Sequence, residues 1–243
     1  MSVRMNFFLS HLSISCLITL TVLGLVFYGW YPAPLATAVG VTVVFLMMLA
    51  IDVIIGPILG LLVYKEGKKS LKFDLSVIFG LQLTALCYGI YSIEQGRPVW
   101  IAYNVDRFEL VRKNEMITDH IEQALPQFQD TPWLKPQYVA VQFAIDAKTR
   151  NDDLFAEVLG NISLAQKPER YVDFINAVPQ IKQQAKNVKE LEQYNDIKQA
   201  KNILDKYPEA TGYLPLKANA VDMTVLVNKE GEVIKIVDLR PWL

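Results

Sequence analysis

A single carboxylate, Asp52, stands near the middle of an otherwise uncharged run of twenty-five residues, Val39 to Val63. Inside a bilayer such a group costs a few kcal/mol, so it must face protein or water and find a partner or a proton. Two chemistries fit it. One is a docking point for a cationic or polar group on a partner helix. The other is a neutral acid hydrogen-bonded inside its own bundle to Thr19, Thr21 or Gln82. One turn further on, Gly56-Pro57-Ile58-Leu59-Gly60 makes a face of small residues four apart, with a proline in it. Such faces let helix backbones approach closely, and the proline frees a carbonyl for a neighbour to satisfy. The face can serve a foreign helix or the bundle itself, and Ala85 and Gly89 repeat its spacing. Lys65, Lys68, Lys69 and Lys72 then read as a topology signal in contact with anionic lipid.

Catalytic chemistry has little to work with. Outside the apolar segments the chain carries one histidine, His120, beside Asp119 in an expected helix, where a surface role is the reading. There is no GxSxG, no phosphate-binding glycine loop, no HExxH and no carboxylate cluster at metal spacing. A proton carrier built on Asp52 would need a second ionisable group in the spans, and none is counted. No cofactor or metal is expected. Asn161-Ile162-Ser163 matches a glycosylation sequon, but so short a match is common by chance.

Three apolar segments position these residues: about 9–31, 39–63 and 75–93. At about 1.5 Å per residue the second can cross the hydrocarbon core with some tilt. The first ends in Phe27, Tyr28, Trp30 and Tyr31 and lacks a small-x-small cleavage site, which favours an uncleaved helix over a signal peptide. Residues 1–93 hold five Lys and Arg against three Asp and Glu, whereas 94–243 hold 19 against 22. The second part is therefore soluble in composition and long enough to bury its own core. Its charge balance, without a basic stripe, excludes nucleic acid as a partner. Cys16 and Cys87 both lie in apolar segments, so the soluble part can form no disulfide. Arg4 and the lysine loop flank the spans on one side, and the loop between spans one and two has no cation. The positive-inside rule puts the N-terminus in the cytoplasm and everything after the third span outside it.

The expected fold class is membrane-anchored α+β: three N-terminal transmembrane helices in 1–93, then an extracytoplasmic domain in 94–243 with an antiparallel sheet and packed helices. The chain leaves the third span through Gly96-Arg97-Pro98 into a strand over Val99–Val105. The stretch 108–117 is ambiguous between strand and helix. A helix is expected over Thr118–Phe128, a strand over Tyr138–Ile145, a short helix over Asp152–Leu159, and another opening at Lys167-Pro168-Glu169-Arg170. Ile181, Ala185, Val188, Leu191, Ile197, Ala200 and Leu204 recur at helical steps and predict one long helix, Pro179–Lys206, with Lys198 on its polar surface. Val221–Val227 and Glu232–Leu239 alternate around Asn228–Gly231 as a hairpin.

The segments YGWYPAPL, DVIIGPILGLLVYKEGKKSLKFDL, QLTALCYGIYSIEQGRPVWIAYNVDRFELV and the ending VIKIVDLRPW resemble the TfpX/TfpZ family of type IV pilin accessory proteins. The likeness is densest over about 28–111 and returns at 221–242. Matching positions are Tyr31, Pro32, Pro34, Asp52, Gly56, Pro57, Lys68, Lys69, Leu71, Lys72, Asp74, Gln82, Gly89, Arg97, Pro98 and Leu239-Arg240-Pro241-Trp242. The resemblance implies a non-enzymatic inner-membrane protein of a Gram-negative cell, with a periplasmic domain, acting as accessory factor or chaperone in pilus biogenesis. The implied partners are a major pilin, through its transmembrane helix and periplasmic head, and the lipid bilayer. Candidate partner-binding residues are Asp52, Gly56, Pro57 and Gly60 in the membrane and Arg97 and Lys198 outside it. From another class, the same architecture suits an anchored extracytoplasmic ligand sensor, although the chain has no output domain beyond Lys65–Lys72.

Overall fold

In the computed structural model, which describes residues 2–242, the chain forms two compact units. One comprises the chain up to Trp30 together with Val41–Gly96; the other comprises Tyr31–Gly40 and the chain from Arg97 onward.

The first unit is a three-helix bundle. Helix α1 (Val3–Gly24) is N-capped by Ser2, whose hydroxyl accepts from the Met5 amide, and runs on through a π-helical turn to Trp30. Within the second unit, α2 (Leu35–Val39) is a single turn that stops at Gly40, whose φ of 78° is open to glycine. Then come α3 (Thr42–Val63), which carries Pro57 in its interior, and α4 (Leu71–Gln95). The three spans, of 28, 22 and 25 residues, are long and apolar enough to cross a membrane. Their outward faces are Leu, Ile, Val and Phe, whereas α3 buries Phe45, Leu49, Gly56, Pro57 and Gly60. Arg4 donates to the Leu61 carbonyl at 2.7 Å, satisfying an end carbonyl of α3 and placing this cation at the same end of the bundle as the lysine loop. There Lys68 pairs with Asp74 at 2.7 Å.

The second unit is built on a mixed sheet. Its strands are β1 (Pro98–Asn104), β2 (Arg107–Arg112), β3 (Gln137–Val141), β4 (Tyr171–Asp173), β5 (Lys186–Asn187), β6 (Gly212–Lys217), β7 (Met223–Val227) and β8 (Val233–Val237). The order is β4-β3-β1-β2-β6-β7-β8, with β5 also on β6; β1–β3 and β2–β6 run parallel and the other pairs antiparallel. Every residue of β1 is buried, because the sheet is covered on both faces. Ile101 and Tyr103 enter one core with Leu214, Leu216, Val225 and Ile181. Trp100 and Ala102 enter another, where Trp100, Phe128 and Tyr171 meet edge to face with centroids 5.6–5.8 Å apart.

The α+β organisation behind three spans stands as expected, and so does the hairpin, but the sheet expected to be antiparallel is mixed, because β3 joins β1 and β6 joins β2 in parallel through long crossover connections. Gly231 takes φ 86°, and the Asn228 side chain accepts from the Glu230 and Glu232 amides. The long helix over Pro179–Lys206 does not exist. It is α7 (Val178–Gln184), the extended β5, a 3₁₀ stretch Val188–Gln193, and α8 (Ile197–Leu204). Ala185 turns to ψ 124°, and the Asn187 and Asp196 side chains accept from the Lys189 and Gln199 amides, starting each new segment by capping it. The helix expected over Thr118–Phe128 reduces to a 3₁₀ turn Ile121–Gln123 and a single turn α5 (Pro126–Gln129). Pro126 forces Leu125 to ψ 144°. The 167–170 stretch gives a 3₁₀ turn, Pro168–Arg170, before β4. In contrast, α6 (Ala147–Gly160) is longer than expected, capped by Asp146.

The terminal Leu239-Arg240-Pro241-Trp242 is a latch. Leu239 is fully buried, the Arg240 amide donates to Asn195 Oδ1 at 2.7 Å, and Trp242 Nε1 donates to Asp222 Oδ2 at 2.9 Å.

Candidate functional site: a polar floor inside the span bundle

Three helices bring their polar side chains to one place. His11, Ser15 and Thr19 lie four residues apart on one stripe of α1, and Gln82 reaches across from α4. Gln82 Nε2 donates to the Asp52 main-chain carbonyl at 3.0 Å and lies 3.3 Å from Ser15 Oγ. A carbonyl can only accept, so the orientation of the amide is fixed and Gln82 Oε1 is the acceptor facing His11 Nε2 at 3.0 Å. His11 therefore carries its proton on Nε2 in that bond. His11 and Ser15 are buried. Phe79 packs against the His11 ring with centroids 4.6 Å apart.

Beside this network lies a cavity of about 220 Å³. Its floor is Ser15, Thr19, Asp52 and Gln82; its rim includes the apolar and exposed Ile14, Ile18 and Leu83. The Asp52 Oδ2 atom is buried without a hydrogen-bond partner among the described residues. The bonds expected for Asp52 from Thr19, Thr21 or Gln82 thus take a different form: Gln82 binds its main chain, and Thr21 bonds back to the Leu17 carbonyl.

Gly56, Pro57 and Gly60 are buried within the bundle. A Cβ on Gly56 would lie 2.1 Å from Gln82 Oε1, and one on Gly60 would lie 3.0 Å from Phe7 and 3.3 Å from His11 Nδ1. Gly56 is thus the gap through which Gln82 crosses α3. Gly56→Ala should displace the Gln82 amide and cost about 1–2 kcal/mol of bundle stability, the worth of its lost bonds. Read by thermal unfolding in detergent, that cost should largely vanish in a Gln82→Ala background. An equal cost in both backgrounds would place the clash elsewhere.

Arg97 and Lys198 belong to the other unit. Arg97 is buried just before β1, where its Nη1 donates to the Leu134 carbonyl at 3.3 Å and its own carbonyl accepts from Lys113. Lys198 is exposed on α8. That unit also holds a polar cavity of about 200 Å³ lined by Glu109, Glu115, Lys217 and Asn219. Two of its carboxylates are already engaged: Glu109 by Asn104 at 3.0 Å, Glu115 by Arg112 and Asn219 at 2.7 Å each. Burial raises the Glu115 pKa, and these bonds more than reverse it, leaving it below the ordinary carboxylate value. Among the described residues no group of three or more His, Cys, Asp or Glu could hold a metal ion.

His11 is what the sequence reading missed. It is the second ionisable group of the spans, inside the first apolar segment. Its spacing with Ser15 and Thr19 was the available signal.

Comparison with known proteins bears on the whole chain. It is 28% identical over 238 residues, 94% of this chain and 92% of the relative, to the fimbrial assembly protein of serogroup E1 of Dichelobacter nodosus, and to the same extent to that of serogroup I. With the fimbrial assembly protein of serogroups C1 and C2 of that organism it shares 32% identity over 116 residues, covering 47% of this chain and 88% of the relative. No family model matches the chain, and no solved structure matches it.

Proposed function

The chain belongs to the family of these fimbrial assembly proteins, and from that premise we propose that it is a non-enzymatic accessory factor of the TfpX/TfpZ kind. Its task is to hold a type IV pilin at the inner membrane, as a chaperone that stabilises the subunit or tunes pilus assembly and dynamics. The N-terminus and the Lys65–Lys72 loop face the cytoplasm, and the soluble unit faces the periplasm.

The observation that carries the reading is the similarity along 94% of the chain. The groove between α1 and α4, apolar at its rim and polar at its floor, supplies a place for a client helix. Gly56, Pro57 and Gly60 support that floor from inside the bundle. Lys198 is the head-side candidate, and the uncovered Phe155 and Val158 of α6 are a second one. Arg97 acts through the fold of the soluble unit.

Photocrosslinking amino acids placed singly at Leu83 and at Lys198 in living piliated cells test this. Adducts of pilin mass, identified as pilin by peptide sequencing, are expected from both positions, and deletion of the gene should lower surface piliation several-fold. Unchanged piliation together with no pilin adduct from either position would overturn the reading.

A further inference from the structure

We propose that the cavity floored by Asp52 is a recognition site for a cationic side chain carried at mid-bilayer depth by a transmembrane helix of another protein. This rests on the accessory reading only in that a foreign helix is expected beside the bundle.

The balance of donors and acceptors in the cluster sets the sign of the missing partner. Within the cluster every fixed donor is already used: His11 Nε2–H meets Gln82 Oε1, and Gln82 Nε2 faces the Asp52 carbonyl and Ser15 Oγ. What remains is a surplus of acceptors. Asp52 Oδ2 and His11 Nδ1 are both buried without a partner among the described residues. The hydroxyls of Ser15 and Thr19 can accept or donate and do not alter that sign. A carboxylate with one oxygen buried and unpartnered beside a cavity of about 220 Å³ suits an ammonium or guanidinium group, and the cavity has room for one.

The chain does not itself supply this cation: His11, the histidine beside the cavity, gives its Nε2–H to Gln82 Oε1, and its Nδ1 makes no bond to Asp52. The spans contain no Lys or Arg between Arg4 and Lys65 or between Lys72 and Arg97, and Arg4 is bound to the Leu61 carbonyl at the bundle end. A second copy would bring the same spans and the same deficit. The occupant is therefore a different chain. The exposed rim residues Ile14, Ile18 and Leu83 suit the apolar flanks of a helix that carries such a cation.

The test uses the full chain in lipid nanodiscs with two synthetic helices of about 20 residues, leucine and alanine throughout, one bearing a central lysine and one a central leucine. Association is read by energy transfer between dyes on the chain and on the peptide. The lysine peptide should bind on the order of tenfold more tightly than the leucine peptide. Asp52→Asn keeps the side-chain shape and the main-chain bond to Gln82, and should erase that preference. Ile18→Trp, which narrows the mouth without touching the floor, should weaken the lysine peptide while leaving the unfolding midpoint unchanged. Equal binding of the two peptides, a preference that survives Asp52→Asn, or a groove filled by a second labelled copy of the chain would each overturn the proposal. Because no pilin is present, these results separate it from the accessory reading, which stands or falls on the crosslinks in cells.

Discussion

Asp153→Ala should unmoor α6 from the soluble unit while leaving the sheet folded. Asp153 is the buried residue of this helix, and its two oxygens accept from Lys167 at 2.6 Å and Arg170 at 2.8 Å. The apolar side chains of α6 do not help to hold it: Leu154, Phe155, Val158 and Leu159 are 51–81% exposed. The helix is thus inverted, with its charge inside and its apolar face outside. Removing the carboxylate leaves two largely buried cations facing each other, an arrangement that costs about 3 kcal/mol or more. Hydrogen exchange should report amide protection in α6 falling roughly a hundredfold, with β1 and β7 unchanged. Unaltered protection would mean that something other than the ion triad anchors the helix. The pH dependence follows from the same contacts. Burial raises the Asp153 pKa, but the bonds from Arg170 and Lys167 outweigh it, so it lies below the ordinary carboxylate value. In the window between the two values the unfolded chain binds more protons, so stability rises with pH there. The anchoring should therefore be flat from neutral pH down to about 5 and be lost only as the pH falls below about 4.

How much of this was legible in the sequence depends on what carries the signal. β1 and the β7–β8 hairpin were readable because five to seven consecutive side chains, and one glycine at positive φ, each report the same local geometry. The three spans were readable for the same reason. The segment 179–206 misled because α7, the 3₁₀ stretch and α8 each turn one side toward a core. Ile181 enters the central core, and Leu191 and Ala200 enter a separate one with Tyr213 and Leu226. Apolar residues at steps of three and four look alike whether one helix or three short ones present them. The caps at Asn187 and Asp196 were the contrary signal. In α6 the local pattern was correct, but its burial was reversed by a pairing with residues 14 and 17 positions away, which no local pattern reports. The polar floor of the bundle failed for a related reason. Asp52 stood out as a charge, but its neighbours His11, Ser15 and Gln82 come from helices 41, 37 and 30 residues distant in the chain.

The largest loss of stability is expected when the soluble unit is made without the loop between the first two spans. Tyr31–Gly40 belongs to that unit, and Leu35 and Ala38, 2% and 0% exposed, sit in its central core with Ile101, Phe108, Leu214 and Met223. The Ala38 carbonyl accepts from the amides of Ala220 at 2.9 Å and Val221 at 3.2 Å. Gly40 then leaves the core at φ 78°, with the space for a Cβ only 2.8 Å from that of Ala220. Two apolar residues in a proline-flanked loop carry no periodicity, so nothing in the sequence marked them as core. Losing a buried Leu costs about 2–5 kcal/mol and two hydrogen bonds about 1 each. Against the roughly 5–15 kcal/mol of an ordinary domain, residues 97–243 alone should be marginal. Their unfolding midpoint should lie some 10–20 °C below that of the same piece with residues 31–40 joined to its start by a glycine-serine linker. Leu35→Ala in the joined version should return about half of the difference. Equal midpoints with and without the loop would show that its contacts add nothing. If the loss appears, the chain enters this one core at Tyr31 and again at Arg97. The loop and the C-terminal unit must then emerge on the same side of the membrane, a constraint on topology that owes nothing to the distribution of lysines.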